Sequence, residues 1–152
     1  AVADLAVPGI AGRIALHAGM PVRGIATSGA ATKGTGGRSF SLGIADAVTV
    51  LARDAAAADA AATVIANAVD LPGHPAIVRQ SAADLDPDSD LGDRQVTFAV
   101  GALSPDEIDR ALADGFARAN ALRHAGLIHG AVLVLQRQFV VCGDGNLLLR
   151  AA

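Results

Sequence analysis

The sequence has few aromatic residues and no excess of positive charge. Aromatics make up 3% of its 152 residues, Trp and Tyr are absent, and the formal net charge is −3. Nucleic acids are bound through basic surfaces, often with stacking aromatics, so this composition argues against a nucleic-acid partner. No apolar run is long enough to span a bilayer, and we therefore expect no membrane insertion.

Cysteine is nearly absent as well, since Cys142 is the only one. One cysteine cannot form an internal disulfide, which fits a reducing compartment, and we predict a cytoplasmic location. The first residues, Ala1 to Leu5, contain no basic region of the kind that begins a signal peptide. We expect Cys142, which follows two valines, to be a small buried core residue.

Hydrophobic residues, many of them alanine, make up 52% of the chain and predict a folded domain with close backbone packing. Residues 13–18 alternate in polarity and are followed by a Gly-Met-Pro turn, so residues 22–28 are predicted to return as the second strand of a hairpin. In residues 95–100 the alternation predicts that Val96, Phe98 and Val100 share one face. Further strands are predicted at residues 47–51, 128–135 and 138–142.

Two segments carry helix signals. Asp54 is a plausible N-cap of an alanine-rich helix that runs to about Val69. The sequence Ser-Pro-Asp-Glu at residues 104–107 combines a cap, a proline at the first helical position and a capping-box glutamate, and Gly126 ends the helix that follows. The order of strands, helix, strand, helix and strands predicts an α+β (mixed α/β) fold, with helices packed on a largely antiparallel sheet.

The first candidate site is the segment Thr27, Ser28 and Gly29 with the Gly-rich loop that follows it. Glycines allow backbone N–H groups to approach an anion closely. Lys33, the only lysine of the chain, and Arg38 lie in the same loop and add positive charge. The pattern predicts an anion or phosphate site; the alternative is a flexible hairpin loop without a ligand.

The second candidate site is the pair Asp59 and Thr63. Four residues apart on a helix, their side chains lie on one face, one turn apart. A carboxylate and a hydroxyl are oxygen ligands suited to a hard cation such as Mg²⁺, which keeps water or phosphate oxygens as its other ligands. The alternative is an exposed, solvated helix face.

Six runs of residues together resemble an uncharacterised bacterial and archaeal family related to the ApbE flavin transferases. The resemblance covers most of residues 24–135. The runs are Gly24-Ile25-Ala26-Thr27-Ser28-Gly29, Gly37-Arg38-Ser39-Phe40-Ser41-Leu42-Gly43, Ala45-Asp46-Ala47-Val48-Thr49-Val50, Ala58-Asp59-Ala60-Ala61-Ala62-Thr63, Pro87-Asp88-Ser89-Asp90-Leu91-Gly92 and Ala125-Gly126-Leu127-Ile128.

The resemblance implies a fold similar to the tunnelling fold, and binding of FAD and Mg²⁺. ApbE-type proteins transfer FMN from FAD to a Thr or Ser of a target protein, or hydrolyse FAD to FMN and AMP. Their Thr-Ser-Gly motif is matched by Thr27, Ser28 and Gly29, and their metal-binding Asp-x-x-x-Thr is matched by Asp59 and Thr63. These matches imply a role for both candidate sites in holding the nucleotide and its metal.

The chain also departs from the ApbE pattern. The ApbE enzymes carry a His before an Asp-Pro segment after the Thr-Ser-Gly motif, whereas residues 36–40 contain no His. The resemblance covers the C-terminal half of an ApbE-like domain, so we expect residues 1–152 to be a single domain, or such a half completed by another chain or by self-association. Three functions stay open: an Mg²⁺-dependent enzyme acting on FAD, a non-catalytic flavin- or anion-binding module, and a structural or assembly protein.

Overall fold

The computed structural model describes residues 2–4, 12–16, 18–30, 40–143 and 148–150. Every strand pair within these residues is antiparallel, and helices pack on the central sheet, which confirms the predicted α+β class. In chain order the elements are β1 (Val2–Asp4), β2 (Gly12–Ala15), β3 (Gly24–Ser28), β4 (Ala47–Ala52), α1 (Ala55–Ala68), β5 (Ile77–Ser81), α2 (Ala82–Leu85), β6 (Gln95–Val100), α3 (Pro105–His124), β7 (Gly130–Leu135), β8 (Gln138–Cys142) and β9 (Leu148–Arg150).

The centre of the fold is a four-stranded sheet in the order β3-β4-β7-β8. All residues of β4 and β7 are buried, because both faces of these strands are covered. β7 and β8 form a hairpin whose two turn residues, Gln136 and Arg137, have φ angles of 44° and 71°. This backbone suits a two-residue turn of the primed type. Cys142 at the end of β8 is 2% exposed, which confirms its predicted place in the core.

Helix α1 lies against β3 and β4 and begins as predicted. The Asp54 carboxylate accepts a hydrogen bond from the Ala57 N–H at 2.8 Å. The helix approaches the neighbouring backbone so closely that a Cβ on Gly24 would lie 1.9 Å from the Asp54 carbonyl oxygen. Glycine at this position and alanines along the helix face let the two layers meet at this short distance.

Helix α3 packs on β7, β8 and α1 and begins with the predicted capping box. The Ser104 N–H donates to Glu107 Oε2 at 2.7 Å, and the Glu107 N–H donates to Ser104 Oγ. Helical spacing predicts that Phe116 shares the buried face of Ile108 and Leu112. Phe116 is instead exposed, because Gly115 takes the position of closest approach to the core. Among the described residues, no helix is both long enough and apolar enough to cross a bilayer.

The predicted hairpin between residues 13–18 and 22–28 is wrong. β3 pairs with β4, whereas β2 lies between β1 and β9 in a separate three-stranded sheet. Ile14 of β2 is buried against residues on the other face of the central sheet from α1. The two segments therefore lie in different layers and do not pair. The Gly-Met-Pro sequence between them suits a hairpin turn, but it does not determine whether the flanking strands pair.

The third sheet consists of β5 and β6, of which β5 was not predicted. The predicted face of β6 is wrong, since Phe98 is 55% exposed and its neighbour Thr97 is buried. The pairing of β6 with β5 shifts register between Val78 and Arg79. Such an irregularity changes which side chains face the core. The acidic segment of residues 84–93 begins within α2 and continues in turns.

Candidate functional site

Thr27 and Ser28, at the end of β3, face opposite sides of the central sheet. Thr27 pairs with Thr49 and its Oγ1 lies 2.9 Å from Thr49 Oγ1, whereas Ser28 pairs with Val48. Val48 belongs to the core beneath the helices, and the neighbours of Thr49 on its face belong to the core beneath β2. Because strand side chains alternate between faces, Ser28 lies on the α1 side and Thr27 on the β2 side.

Gly29 leaves β3 in a conformation that requires glycine. Its φ is 130°, and a Cβ would lie 2.7 Å from the Asp46 carbonyl oxygen. The next residue, Ala30, donates its N–H to the Ala45 carbonyl at 3.0 Å. The chain is therefore held tightly where the Gly-rich loop begins. The two predicted basic ligands, Lys33 and Arg38, lie outside the described residues.

The segment that follows the Gly-rich loop is held from two directions. The Ser41 carbonyl accepts a hydrogen bond from the backbone N–H of Thr97 on β6 at 2.8 Å. The Leu42 N–H donates to Asn67 Oδ1 on α1 at 3.1 Å. Residues 41 and 42 therefore bridge the two-stranded sheet and the C-terminal half of α1.

Arg79 of β5 reinforces the same place. Its Nη1 donates to the Leu42 carbonyl oxygen at 2.5 Å and to Thr97 Oγ1 at 3.2 Å, and its Nη2 lies 2.5 Å from Asp70 Oδ1. The Arg79 and Asp70 side chains are only 23% and 21% exposed. This group was not predicted from the sequence, because its members are spread over more than 50 residues. The one local signal was a single arginine directly after two apolar residues.

Asp59 and Thr63 lie exposed on one face of α1, as predicted. The Thr63 hydroxyl donates its hydrogen to the Asp59 carbonyl oxygen at 3.1 Å. Its lone pairs therefore stay available to a cation. Within the described residues, no group of three or more His, Cys, Asp or Glu side chains is placed to hold a metal ion. The pair thus offers two oxygen ligands, and the other ligands of an Mg²⁺ ion would be water or phosphate oxygens.

Asp46 is a half-buried carboxylate one residue before β4. Burial raises its pKa, and the Gln136 N–H, which donates to Asp46 Oδ2 at 2.6 Å, opposes this effect. The Gln136 side chain in turn contacts the Gly101 carbonyl at 2.6 Å and the Leu103 N–H at 3.0 Å. Asp46 therefore fixes the β7–β8 turn and the start of α3. It belongs to one of the resembling runs but was not predicted as a site residue.

A groove of about 240 Å³ lies between α1 and the end of α3. Its lining residues are Arg53, Ala57, Ala60, Ala61, Val64, Leu122, Gly126 and Leu127. On α1 these positions occupy a different flank from Asp59 and Thr63. The structure therefore does not bring this apolar groove together with the candidate cation ligands.

Comparison with known proteins gives one family. A protein-family model described as "AbpE bacteria" matches residues 2–146. No curated protein and no solved structure matches the chain. The matched segment contains all seven residues predicted for the two candidate sites.

Proposed function

The chain belongs to the AbpE bacteria family, whose model matches residues 2–146, and on this premise we propose that it binds the flavin nucleotide FAD together with Mg²⁺. The choice of ligand rests on the resemblance of residues 24–29 and 58–63 to the family related to ApbE. The geometry of α1 supports only the cation part of the proposal.

The observation that carries the proposal is the position of Asp59 and Thr63. Both side chains are accessible from solvent on the same face of α1. The hydrogen bond from Thr63 to the Asp59 carbonyl turns the hydroxyl hydrogen towards the helix, which leaves oxygen lone pairs for a cation. Bound there, Mg²⁺ would neutralise charge on the pyrophosphate of the nucleotide.

Only one of the two hydroxyls at the end of β3 lies on the face of the central sheet that carries α1, and only that hydroxyl is placed to bind the ligand. Ser28 lies on the same side as α1, whereas the Thr27 hydroxyl contacts Thr49 on the other side. We therefore assign Ser28 and the backbone of Gly29 to the phosphate side of the ligand. Thr27 is then a structural residue of the β3–β4 pair. Lys33 and Arg38 stay predicted phosphate ligands on the evidence of the sequence.

Two functions are compatible with such a site. In an enzyme, the pyrophosphate P–O bond of FAD breaks and AMP leaves, while water or the hydroxyl of a target Thr or Ser forms the new bond to the FMN phosphorus. In a binding module, FAD is held without turnover. The second is favoured by the absence of a histidine from residues 36–40, where the ApbE enzymes carry one.

The proposal is tested by titrating the protein with FAD in the presence and absence of Mg²⁺. Flavin fluorescence reports binding, and chromatography reports release of FMN and AMP. We expect Asp59→Ala to weaken Mg²⁺-dependent binding at least about tenfold, since it removes the charged ligand. Asp114→Ala, which removes an exposed carboxylate from α3, is the matched control and should have no effect.

A second pair of variants tests the assignment of the hydroxyls. Ser28→Ala should weaken FAD binding, whereas Thr27→Val should leave it unchanged and lower only stability. Binding with product release indicates the enzyme, and binding alone indicates the module. If the wild-type protein does not bind FAD with or without Mg²⁺, the proposed function is wrong.

The same proposal includes a small-molecule partner, a cytoplasmic location and self-association. The single free cysteine, which is buried, supports a reducing compartment. Light scattering during gel filtration measures the oligomeric state, and a purely monomeric protein that binds FAD would argue against self-association.

A further inference from the structure

Arg79 is the most extensively bonded charged side chain near the candidate ligand site. Its guanidinium contacts three groups from separate parts of the chain, namely the Leu42 carbonyl, Thr97 Oγ1 and the Asp70 carboxylate. A planar guanidinium presents its donors in a fixed fork, so it can hold several acceptors at once in a defined geometry. The side chain is mostly buried, which strengthens these contacts.

These partners show what Arg79 does not do. The Asp70 carboxylate lies 2.5 Å away and balances its charge, and a second nitrogen is bonded to Leu42 and Thr97. Arg79 is therefore not available as a ligand for phosphate. It acts on the segment that it holds, which is the residue pair Ser41 and Leu42.

That segment is bonded to the C-terminal half of the helix that carries the candidate cation ligands. The Leu42 N–H is bonded to Asn67, and Asn67 follows Asp59 and Thr63 at successive four-residue intervals along α1. One such interval corresponds to about 6 Å along a helix. The anchored backbone of residues 41 and 42 is thus about one helical turn from Thr63.

We propose that Arg79, held by Asp70, is a positioning residue that fixes residues 41 and 42 against the C-terminal half of α1, about one helical turn beyond Thr63. The part of this inference that concerns the ligand rests on the proposed function, whereas the anchoring of the backbone does not. In this arrangement the two-stranded sheet holds residues 41 and 42 through Arg79 on β5 and the Thr97 N–H on β6. The role of Arg79 depends on its fork geometry as well as on its charge.

Limited proteolysis with trypsin tests the anchoring without any ligand. Among its sites, trypsin cleaves after Arg38, three residues before Ser41, and after Arg137 in the β7–β8 turn, which Arg79 does not contact. In Arg79→Ala we expect cleavage after Arg38 to become about tenfold faster while cleavage after Arg137 stays unchanged. Arg79→Lys, which keeps the charge and loses the fork, should give a smaller increase of about threefold. Mass spectrometry assigns each cut.

Further variants make the test independent of folding defects. Asp70→Asn keeps an oxygen acceptor and removes the balancing charge, so it should behave like Arg79→Lys. Arg118→Ala removes an exposed arginine from α3 and should match the wild-type protein at both bonds. If Arg79→Ala does not fold, Arg79→Lys and Asp70→Asn decide the question.

The ligand part is measured by titrating the same variants with FAD and Mg²⁺. We expect the affinity to fall in the order in which cleavage after Arg38 accelerates. Equal acceleration at both bonds would show a general loss of stability and overturn the proposal, as would unchanged cleavage after Arg38. If the wild-type protein binds no FAD, the proposed function fails, and proteolysis still decides whether Arg79 anchors the segment.

Discussion

Replacing Gly115 by alanine is expected to destabilise the protein although it improves the helix. Gly115 lies in the middle of α3, where it faces Val69 and Leu133. A Cβ built on Gly115 would lie 2.3 Å from Val69 Cγ2 and 2.7 Å from Leu133 Cδ2. Both neighbours are fully buried, so neither can move away into solvent.

Two opposing effects set the magnitude. Alanine is more favourable than glycine in a helix interior by about 1 kcal/mol. Forcing an extra carbon into a packed core costs about 1–3 kcal/mol, and two contacts far below van der Waals distance place Gly115→Ala in the upper part of that range. We therefore expect a net loss of about 1–2 kcal/mol, which for a chain of this size lowers Tm by about 2–8 °C.

Thermal and urea denaturation followed by circular dichroism measure this loss. Ala113→Gly, at an exposed position of α3, measures the helix propensity alone and should cost about 1 kcal/mol. In a Val69→Ala background, Gly115→Ala should be less destabilising by at least about 1 kcal/mol, because the nearest contact is gone. A Gly115→Ala protein as stable as the wild type would refute the packing of α3 on Val69 and Leu133.

Three further predictions concern single side chains. Hydrogen bonds from the Ser104 N–H, and then from His74, lower the pKa of Glu107 from 4.5 to about 2. The ionised Glu107 carboxylate therefore stabilises the fold fully above about pH 4.5, and this stabilisation is lost as the pH falls towards 2. Glu107→Gln should reduce the difference in Tm between pH 7 and pH 3. Burial raises the pKa of the Cys142 thiol, and we expect native protein to react with a thiol reagent at pH 8 far more slowly than unfolded protein. Arg137→Gly should stabilise by about 0.5–1 kcal/mol, since Arg137 has a φ of 71°; an unchanged or lower Tm would contradict this.

Local signals in the sequence predicted the elements that depend on local chemistry. The capping residues Asp54 and Ser104, the stop at Gly126 and the apolar strand β4 are all where the sequence placed them. Each depends on hydrogen bonds or packing within a few residues. The spacing of Asp59 and Thr63 belongs to the same class, because a helix fixes which side chains share a face.

Features that depend on distant contacts were not predictable in this way. The partner of β3 is fixed by the layered packing of β2 over the central sheet, and the face of Thr27 follows from its register with Thr49. The shifted register between β5 and β6 placed Phe98 in solvent. The role of Arg79 depends on Leu42 and Asp70, which only the folded chain brings into contact with it. None of these relations leaves a periodic trace in the sequence.

The pairing of β2 with β9 bears on the order in which the protein folds. Gly12 pairs with Arg150, so this ladder joins residues roughly 140 positions apart in the sequence. Contacts of such separation carry a large loop-closure entropy and form late. During synthesis on the ribosome, β9 is made after every other described strand. Until then β2 lacks one of its two neighbours, and we expect the apolar face that Ile14 covers, including Leu51 and Val132, to be open to chaperones or to aggregation.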